Sequence, residues 1–101
     1  MWDLRDNARV TQEQRPTWEA FARAMGEEFL RARTAMGASQ ERVAHLAGVS
    51  TYTYQKFEKG ESRPGTPLNP QLRTLVAVCQ VLGLSVSELL AGPLPGQDDD
   101  A

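Results

Sequence analysis

Apolar side chains recur at helical spacing through most of the chain, and no segment alternates apolar and polar residues as a strand would. The first stripe runs from residue 17 to about residue 36, and its apolar members lie three or four residues apart: Trp18, Phe21, Ala22, Met25, Phe29, Ala32 and Met36. Gly26 interrupts this stripe at some cost in helix stability. The pattern therefore predicts either one long helix or two helices that meet near Gly26.

Two short helices joined by a tight turn are predicted next. Ser39 is a good N-cap for a helix over about 40–47, and Ser50 is a good N-cap for a helix over about 51–59. A glycine follows each helix, and glycine enters the left-handed conformation of a helix end without steric cost. Two helices of this length with a glycine in the turn make a helix-turn-helix, whose second helix lies in the DNA major groove.

The second half of the domain is predicted to hold a loop and two further helices. Residues 60–68 are interpreted as a loop because they include two prolines and two glycines. Asn69 is predicted to cap the next helix, with Pro70 at its first position. Ser85 opens a capping box, which predicts a last short helix through Leu90. The fold class predicted from these elements is all-α.

The residue pattern of the two short helices resembles a known family. The block S-Q-x-x-V-A-x-x-A-G-V-S at residues 39–50, followed by Y-x-x-F-E-K-G at residues 54–60, resembles the phage-repressor and Cro family, also called XRE-type. The resemblance extends to the helices on both sides of this block. It implies a compact five-helix domain of the lambda-repressor type, which here has an extended N-terminal helix.

Length and charge refine the domain boundaries. A chain of 101 residues makes one domain. The net charge of −2 does not by itself indicate a DNA-binding protein, but Asp98, Asp99 and Asp100 place an acidic excess near the end of the chain. We expect a flexible N-terminal arm at 1–16, the domain at 17–91 with its helix-turn-helix at about 39–60, and a disordered acidic tail at 92–101.

Several function classes are disfavoured by the sequence. No apolar run is long enough to span a membrane, and the first residues lack the apolar segment of a secretory signal, so we expect a cytoplasmic, nucleoid-associated protein without a membrane partner. Cys79 is interpreted as a core residue, and His45 as an exposed one. Neither belongs to a catalytic or metal-ligand motif. We therefore predict no enzymatic activity, no catalytic residues, no metal and no cofactor.

The resemblance also implies roles for individual residues. The residues that it places against base edges are Thr51, Tyr52, Gln55 and Lys56. This agrees with their chemistry, because glutamine can bond adenine and lysine can donate to guanine. Gln40 aligns with a family glutamine that bonds phosphate. The further candidate phosphate contacts are Ser50, Thr53, Lys59 and Arg63. Arg33 and Glu58 align with an ion pair that ties the first helix to the end of the recognition helix.

The function implied by the resemblance is sequence-specific transcriptional regulation. We expect a repressor that binds a partly palindromic operator in double-stranded DNA as a homodimer, with the helix at 51–59 as its recognition helix. Two dimer contacts stay open, namely the aromatic stripe at Trp18 and Phe21, and the last helix. The alternative is an antitoxin-like or adaptor module that uses the same fold to bind a protein partner, a toxin or another regulator.

Overall fold

Five helices and one short hairpin make up the part of the chain that the computed structural model describes, residues 15–91 and 94–96. In chain order the elements are α1 (Trp18–Met36), α2 (Gln40–Ala47), α3 (Thr51–Lys59), β1 (Glu61–Arg63), β2 (Thr66–Pro67), α4 (Leu72–Leu82) and α5 (Val86–Leu89). The prediction of an all-α, five-helix domain with a long first helix is confirmed. Within this described part, no helix is long and apolar enough to cross a membrane.

The first helix runs without interruption through Gly26, so one long helix forms rather than two. A Cβ atom at Gly26 would lie 2.5 Å from the carbonyl oxygen of Glu58 and 2.9 Å from that of Phe57. Both distances are shorter than side-chain carbons tolerate. The glycine therefore lets the backbone of α1 approach the C-terminal end of α3, which fixes where that end lies.

Both helices of the helix-turn-helix begin and end where the sequence predicted. The Ser39 side chain accepts a hydrogen bond from the Arg42 backbone N–H, and the Ser50 side chain accepts one from the Thr53 N–H, each at 3.0 Å. Gly48 ends α2 in the left-handed conformation with a φ of 75°. These side-chain bonds satisfy N–H groups that have no partner inside the helix.

One apolar core joins four of the helices. Its buried side chains are Ala22, Met25, Phe29, Val43, Ala44, Tyr54, Phe57, Leu68, Leu75, Val78, Cys79 and Leu82. The rings of Phe29 and Phe57 lie 5.5 Å apart between centroids, so an aromatic pair joins α1 to α3. Cys79 is a core residue as predicted, and burial raises the pKa of its thiol.

The segment predicted as a loop at 60–68 contains a two-stranded antiparallel hairpin, in which Glu61 pairs with Pro67 and Arg63 pairs with Thr66. The loop prediction is wrong for these strands. The signal for the hairpin is the Pro-Gly pair between them, because Gly65 has a φ of 81° and proline with such a glycine forms a tight turn. The strands are too short to show alternation in the sequence.

The start of α4 also differs from the prediction. The N-cap is Gln71 and the helix begins at Leu72, so the assignment of Asn69 as N-cap and Pro70 as first helical residue is wrong. Leu68 is buried and its N–H donates to the Gly60 carbonyl at 2.8 Å. From this anchor the chain crosses to α4 in a non-helical segment that includes both residues.

The aromatic residues at the start of α1 contact their own domain. The Trp18 indole N–H donates to the Leu68 carbonyl at 2.9 Å, and the Trp18 ring lies 5.6 Å from that of Phe21. Both side chains are half-buried. The aromatic stripe therefore covers the hairpin side of the core, which weakens the case for it as a dimer contact.

Most of the predicted arm and tail lies outside the described residues. Where the structure describes them, the two segments touch. The Arg15 guanidinium donates to the Leu94 carbonyl at 3.2 Å, and the Gly96 N–H donates to the Pro16 carbonyl at 3.1 Å. The described parts of the two segments are therefore joined by hydrogen bonds, which the prediction of a flexible arm and a disordered tail did not include.

An ion pair ties α1 to α3 beside the close backbone approach. Arg33 Nε and Nη2 donate to the two carboxylate oxygens of Glu58, at 2.5 and 3.0 Å. The Tyr54 hydroxyl donates to the same carboxylate at 2.6 Å. Burial alone would raise the pKa of the Glu58 carboxyl, but hydrogen bonds from Arg33, Tyr54 and Gln40 outweigh it and lower that pKa. The carboxylate is thus held in its charged form.

The first testable prediction concerns Gly26. Substituting Gly26→Ala places a methyl group against backbone oxygens, and the resulting strain is expected to lower the free energy of unfolding by about 1–3 kcal/mol, as overpacking does. Urea denaturation measures this loss. The control is Ala24→Gly on the exposed side of the same helix, which reports the intrinsic glycine cost of about 1 kcal/mol. A Gly26→Ala variant as stable as the native chain would contradict the close approach.

The second prediction concerns acid. Because the folded chain lowers the Glu58 pKa, this group stabilises fully above the pKa of the unfolded chain, about 4.3, and loses its contribution as the pH falls through the lower folded value. Removing a donor with Tyr54→Phe should raise the pKa of Glu58, measured by carbon-13 NMR titration of its carboxyl. Tyr52→Phe, which alters an exposed tyrosine, is the control and should leave it unchanged. Equal pKa values in all three proteins would refute the assigned hydrogen bond.

Candidate nucleic-acid interface

The four residues implied as base contacts lie on one face of α3. Thr51, Tyr52, Gln55 and Lys56 are spaced so that they share one side of the helix, while Tyr54 and Phe57 on the other side are buried. Tyr52 is 67% exposed. The helix therefore presents polar and aromatic groups outward and is held in the core by two aromatic side chains.

A series of hydrogen bonds links this face to the partly buried ion pair of Arg33 and Glu58. The Gln40 side-chain amide donates from Nε2 to Glu58 Oε1 at 2.9 Å. Gln40 Oε1 in turn accepts a hydrogen bond from Gln55 Nε2 at 3.2 Å. Two residues to which the sequence gave separate roles, a phosphate contact and a base contact, are thus bonded to each other across α2 and α3.

The cations of the interface gather beside the hairpin. Lys56 Nζ lies 4.4 Å from the centroid of the Tyr52 ring, within the range of a cation–π interaction. A pocket of about 340 Å³ lies between the C-terminal half of α3 and the hairpin, and its lining includes Tyr52, Lys56, Lys59, Glu61, Ser62, Arg63 and Pro64. Four of the predicted contact residues are therefore brought together here, and their three cations outnumber the one carboxylate, that of Glu61, which suits the pocket to an anionic oxygen.

Two of the predicted phosphate contacts have hydroxyls already engaged in capping. Ser50 Oγ accepts from the Thr53 N–H and donates to Thr53 Oγ1, each at 3.0 Å. This leaves the Thr53 hydroxyl hydrogen as the donor that can turn toward a ligand. Ser50 sits at the start of α3 mainly as its cap, so any contact to phosphate from this residue would compete with that role.

A second pocket shows residues that the sequence did not single out. It has a volume of about 280 Å³ and is lined by Thr53, Lys56, Phe57, Ser62, Leu68, Pro70, Gln71 and Thr74. Ser62 of the hairpin and Thr74 of α4 thus share a pocket with two predicted contact residues. The Pro-Gly turn was the only signal in the sequence for this arrangement, because it brings the hairpin back beside α3.

The hydroxyl of Tyr54 was also missed. Its ring is fully buried, and its hydroxyl donates to Glu58, a partner that was not predicted. The signal was present in the spacing, since Tyr54 and Glu58 are four residues apart and therefore neighbours on one helix face. Glu58 consequently serves Arg33, Gln40 and Tyr54 together rather than one ion-pair partner.

Comparisons with known proteins agree with this geometry. A family model described as a helix-turn-helix domain matches residues 3–91. A curated protein of Bacillus subtilis (strain 168), the SPbeta prophage-derived uncharacterized HTH-type transcriptional regulator YonR, is 36% identical over 67 residues. That match covers 66% of this chain and 56% of the relative, so the chain spans just over half of the relative's length.

Two solved structures share the fold. The restriction-modification controller protein C.AhdI from Aeromonas hydrophila superposes with a TM-score of 0.59 at 28% identity, covering 69% of this chain and 97% of that protein. The clp gene regulator ClgR from C. glutamicum gives a TM-score of 0.58 at 24% identity, covering 69% of this chain and 82% of that one. The chain belongs to the helix-turn-helix domain family, of the phage-repressor and Cro type that its sequence indicated.

Proposed function

We propose that this chain is a transcriptional regulator that binds double-stranded DNA by inserting α3 into the major groove. The observation that carries the proposal is the outward face of α3, with its glutamine, lysine, threonine and exposed tyrosine on a helix fixed from behind by two buried aromatic residues. Side chains of these types read base edges in the major groove. A regulator of this kind acts on the nucleoid in the cytoplasm and performs no catalysis.

The interface divides into base-reading and backbone-contacting residues. The proposed base contacts are Thr51, Tyr52, Gln55 and Lys56, and the proposed phosphate contacts are Gln40, Ser50, Thr53, Lys59 and Arg63. Lys59 at the end of α3 and Arg63 in the hairpin are both exposed. Their position suits them to bind a DNA phosphate beside the major groove. Phosphate contacts position the protein and base contacts select the sequence.

The chain is proposed to act as a homodimer on a partly palindromic operator, because one helix-turn-helix covers only a half-site. The surface best suited to a second copy is on α4, where Leu72 is 68% exposed and Val76 is 36% exposed, one helical turn apart. Trp18 is hydrogen-bonded within its own domain, and Leu89 and Leu90 at the last helix pack against the core, so both of the contacts first expected are poorer candidates. Repression is the proposed mode, since occupancy of an operator that overlaps a promoter is sufficient to block it.

The third prediction tests base readout. Selection from random duplexes should return a preferred operator, and Lys56→Ala should weaken binding to it by about 1–3 kcal/mol while folding is unchanged. Competition binding at fixed salt measures the loss. The control is Arg23→Ala, which removes an exposed cation of α1 whose side chain pairs with Glu19 and not with a residue of α3. Absence of any preferred duplex would overturn the proposed function. Equal losses of affinity in both variants would show that this face of α3 does not read the bases.

The fourth prediction tests the dimer. Replacing Val76→Glu puts a charge on the apolar α4 surface and should shift the protein to monomer, with weaker binding to a two-half-site operator but unchanged binding to an isolated half-site. Sedimentation equilibrium and gel-shift titration measure the two effects. Leu30→Glu, which alters a leucine on α1 that is 44% exposed, is the matched control and should leave the dimer intact. A Val76→Glu variant that stays dimeric would place the interface elsewhere.

A further inference from the structure

We propose that Glu58 and Gln40 are positioning residues that fix which end of the Gln55 side-chain amide faces DNA, so that Gln55 selects adenine over guanine. The inference rests on the proposed DNA-binding function and deepens it, because it states which base one residue prefers and why. It follows from the direction of each hydrogen bond in the chain from Glu58 to Gln55.

The direction of these bonds is set at the buried end. An ionised carboxylate only accepts hydrogen bonds, so the Gln40 atom that lies 2.9 Å from Glu58 Oε1 is the amide nitrogen. The other end of the Gln40 amide is then its oxygen, which also only accepts. The Gln55 atom that lies 3.2 Å from that oxygen is therefore its amide nitrogen. Reversing either amide would bring two acceptors or two donors together.

The Glu58 carboxylate, at the inner end of this series of hydrogen bonds, cannot readily rotate. The Glu58 side chain is 7% exposed, and the Arg33 side chain that grips it is 18% exposed. Arg33 is itself held by a 3.0 Å hydrogen bond from Nη1 to the Ala38 carbonyl. Tyr54, fully buried, holds the second carboxylate oxygen from within α3. Each oxygen of Glu58 is thus fixed by donors on more than one side.

The free end of Gln55 is consequently its oxygen. Among the residues that the structure describes, Gln55 Oε1 has no hydrogen-bond partner, and Nε2 keeps one hydrogen beyond the one it gives to Gln40. Adenine offers the N6 donor and the N7 acceptor in the major groove, which match this acceptor and donor. Guanine offers two acceptors, O6 and N7. To donate to these acceptors, the Gln55 amide would have to point its nitrogen at the base. Its oxygen would then face the side-chain oxygen of Gln40, which cannot donate to it.

The test uses the full chain and the operator obtained by selection from random duplexes. Gln55→Met identifies the operator position that this residue reads, as the position where preference is lost. At that position the native chain is expected to bind adenine more tightly than guanine by about tenfold or more. Circular dichroism checks that each variant is folded before its affinities are compared.

Two substitutions of Gln40 then separate positioning from other roles. Gln40→Met removes the oxygen that accepts a hydrogen bond from Gln55. The ratio of the affinity for adenine to that for guanine should then fall about tenfold, to near unity. Gln40→Lys supplies donors only, so it can still bond Glu58 but forces Gln55 to turn its oxygen inward. This variant should shift the preference at the same position toward guanine. The control is Lys59→Met, which should weaken binding to all duplexes alike and leave the ratio unchanged.

The outcomes distinguish this inference from the proposed function. A native chain with no preferred duplex contradicts both. A native chain that selects an operator, with a ratio that neither Gln40 variant changes, contradicts the positioning role and leaves DNA binding standing. A ratio that drops in Gln40→Met and reverses in Gln40→Lys supports it. If Gln55→Met alters no position of the operator, Gln55 is not a base reader and the inference is wrong.

Discussion

The arrangement of the first three helices depends on the carboxylate of Glu58, whose side chain is largely shielded from solvent. A charge in this position is costly unless it is paired and its remaining lone pairs accept hydrogen bonds. Here Arg33 comes from α1, Gln40 from α2, and Tyr54 from the same helix as Glu58. One group thereby makes hydrogen bonds to side chains of all three helices, and α3 cannot rotate about its axis without leaving that charge unpaired.

Glycine at position 26 makes this arrangement possible. Beside the ion pair, α1 and α3 approach until backbone meets backbone, and a Cβ at Gly26 would lie 2.5 Å from a carbonyl oxygen of the partner helix. The intrinsic cost of glycine in a helix, about 1 kcal/mol, is offset by the contacts that the approach permits. The apparent weak point in the apolar stripe of α1 is therefore the position where the recognition helix is held most closely.

The sequence predicted the elements whose signals are local. Serine caps and terminal glycines fixed α2 and α3, because the groups that satisfy a helix end lie within a few residues of it. The start of α4 was mispredicted because Leu68 is anchored by Gly60 across the hairpin and by Trp18, which is 50 positions away in sequence. The hairpin was mispredicted because its strands are too short to show alternation. The bond from Gln55 to Gln40 was missed for the same reason: it joins two helices, and no spacing within one helix reveals it. The roles of the site residues toward DNA stay a prediction.

Because the net charge of this chain is small, the proposed function depends more on side chains that are already ordered before DNA binds. With a net charge of −2, attraction to DNA phosphates is weak overall, and the cations beside α3 are few. A protein in this situation gains affinity by lowering the entropy that its contacts lose on binding. Side chains that are already bonded to each other, such as Gln40 with Gln55 and Tyr52 with Lys56, lose less freedom when they meet a duplex. In the proposed complex the Glu58 carboxylate would contribute to recognition without touching DNA, because it orders the residues that are proposed to contact it.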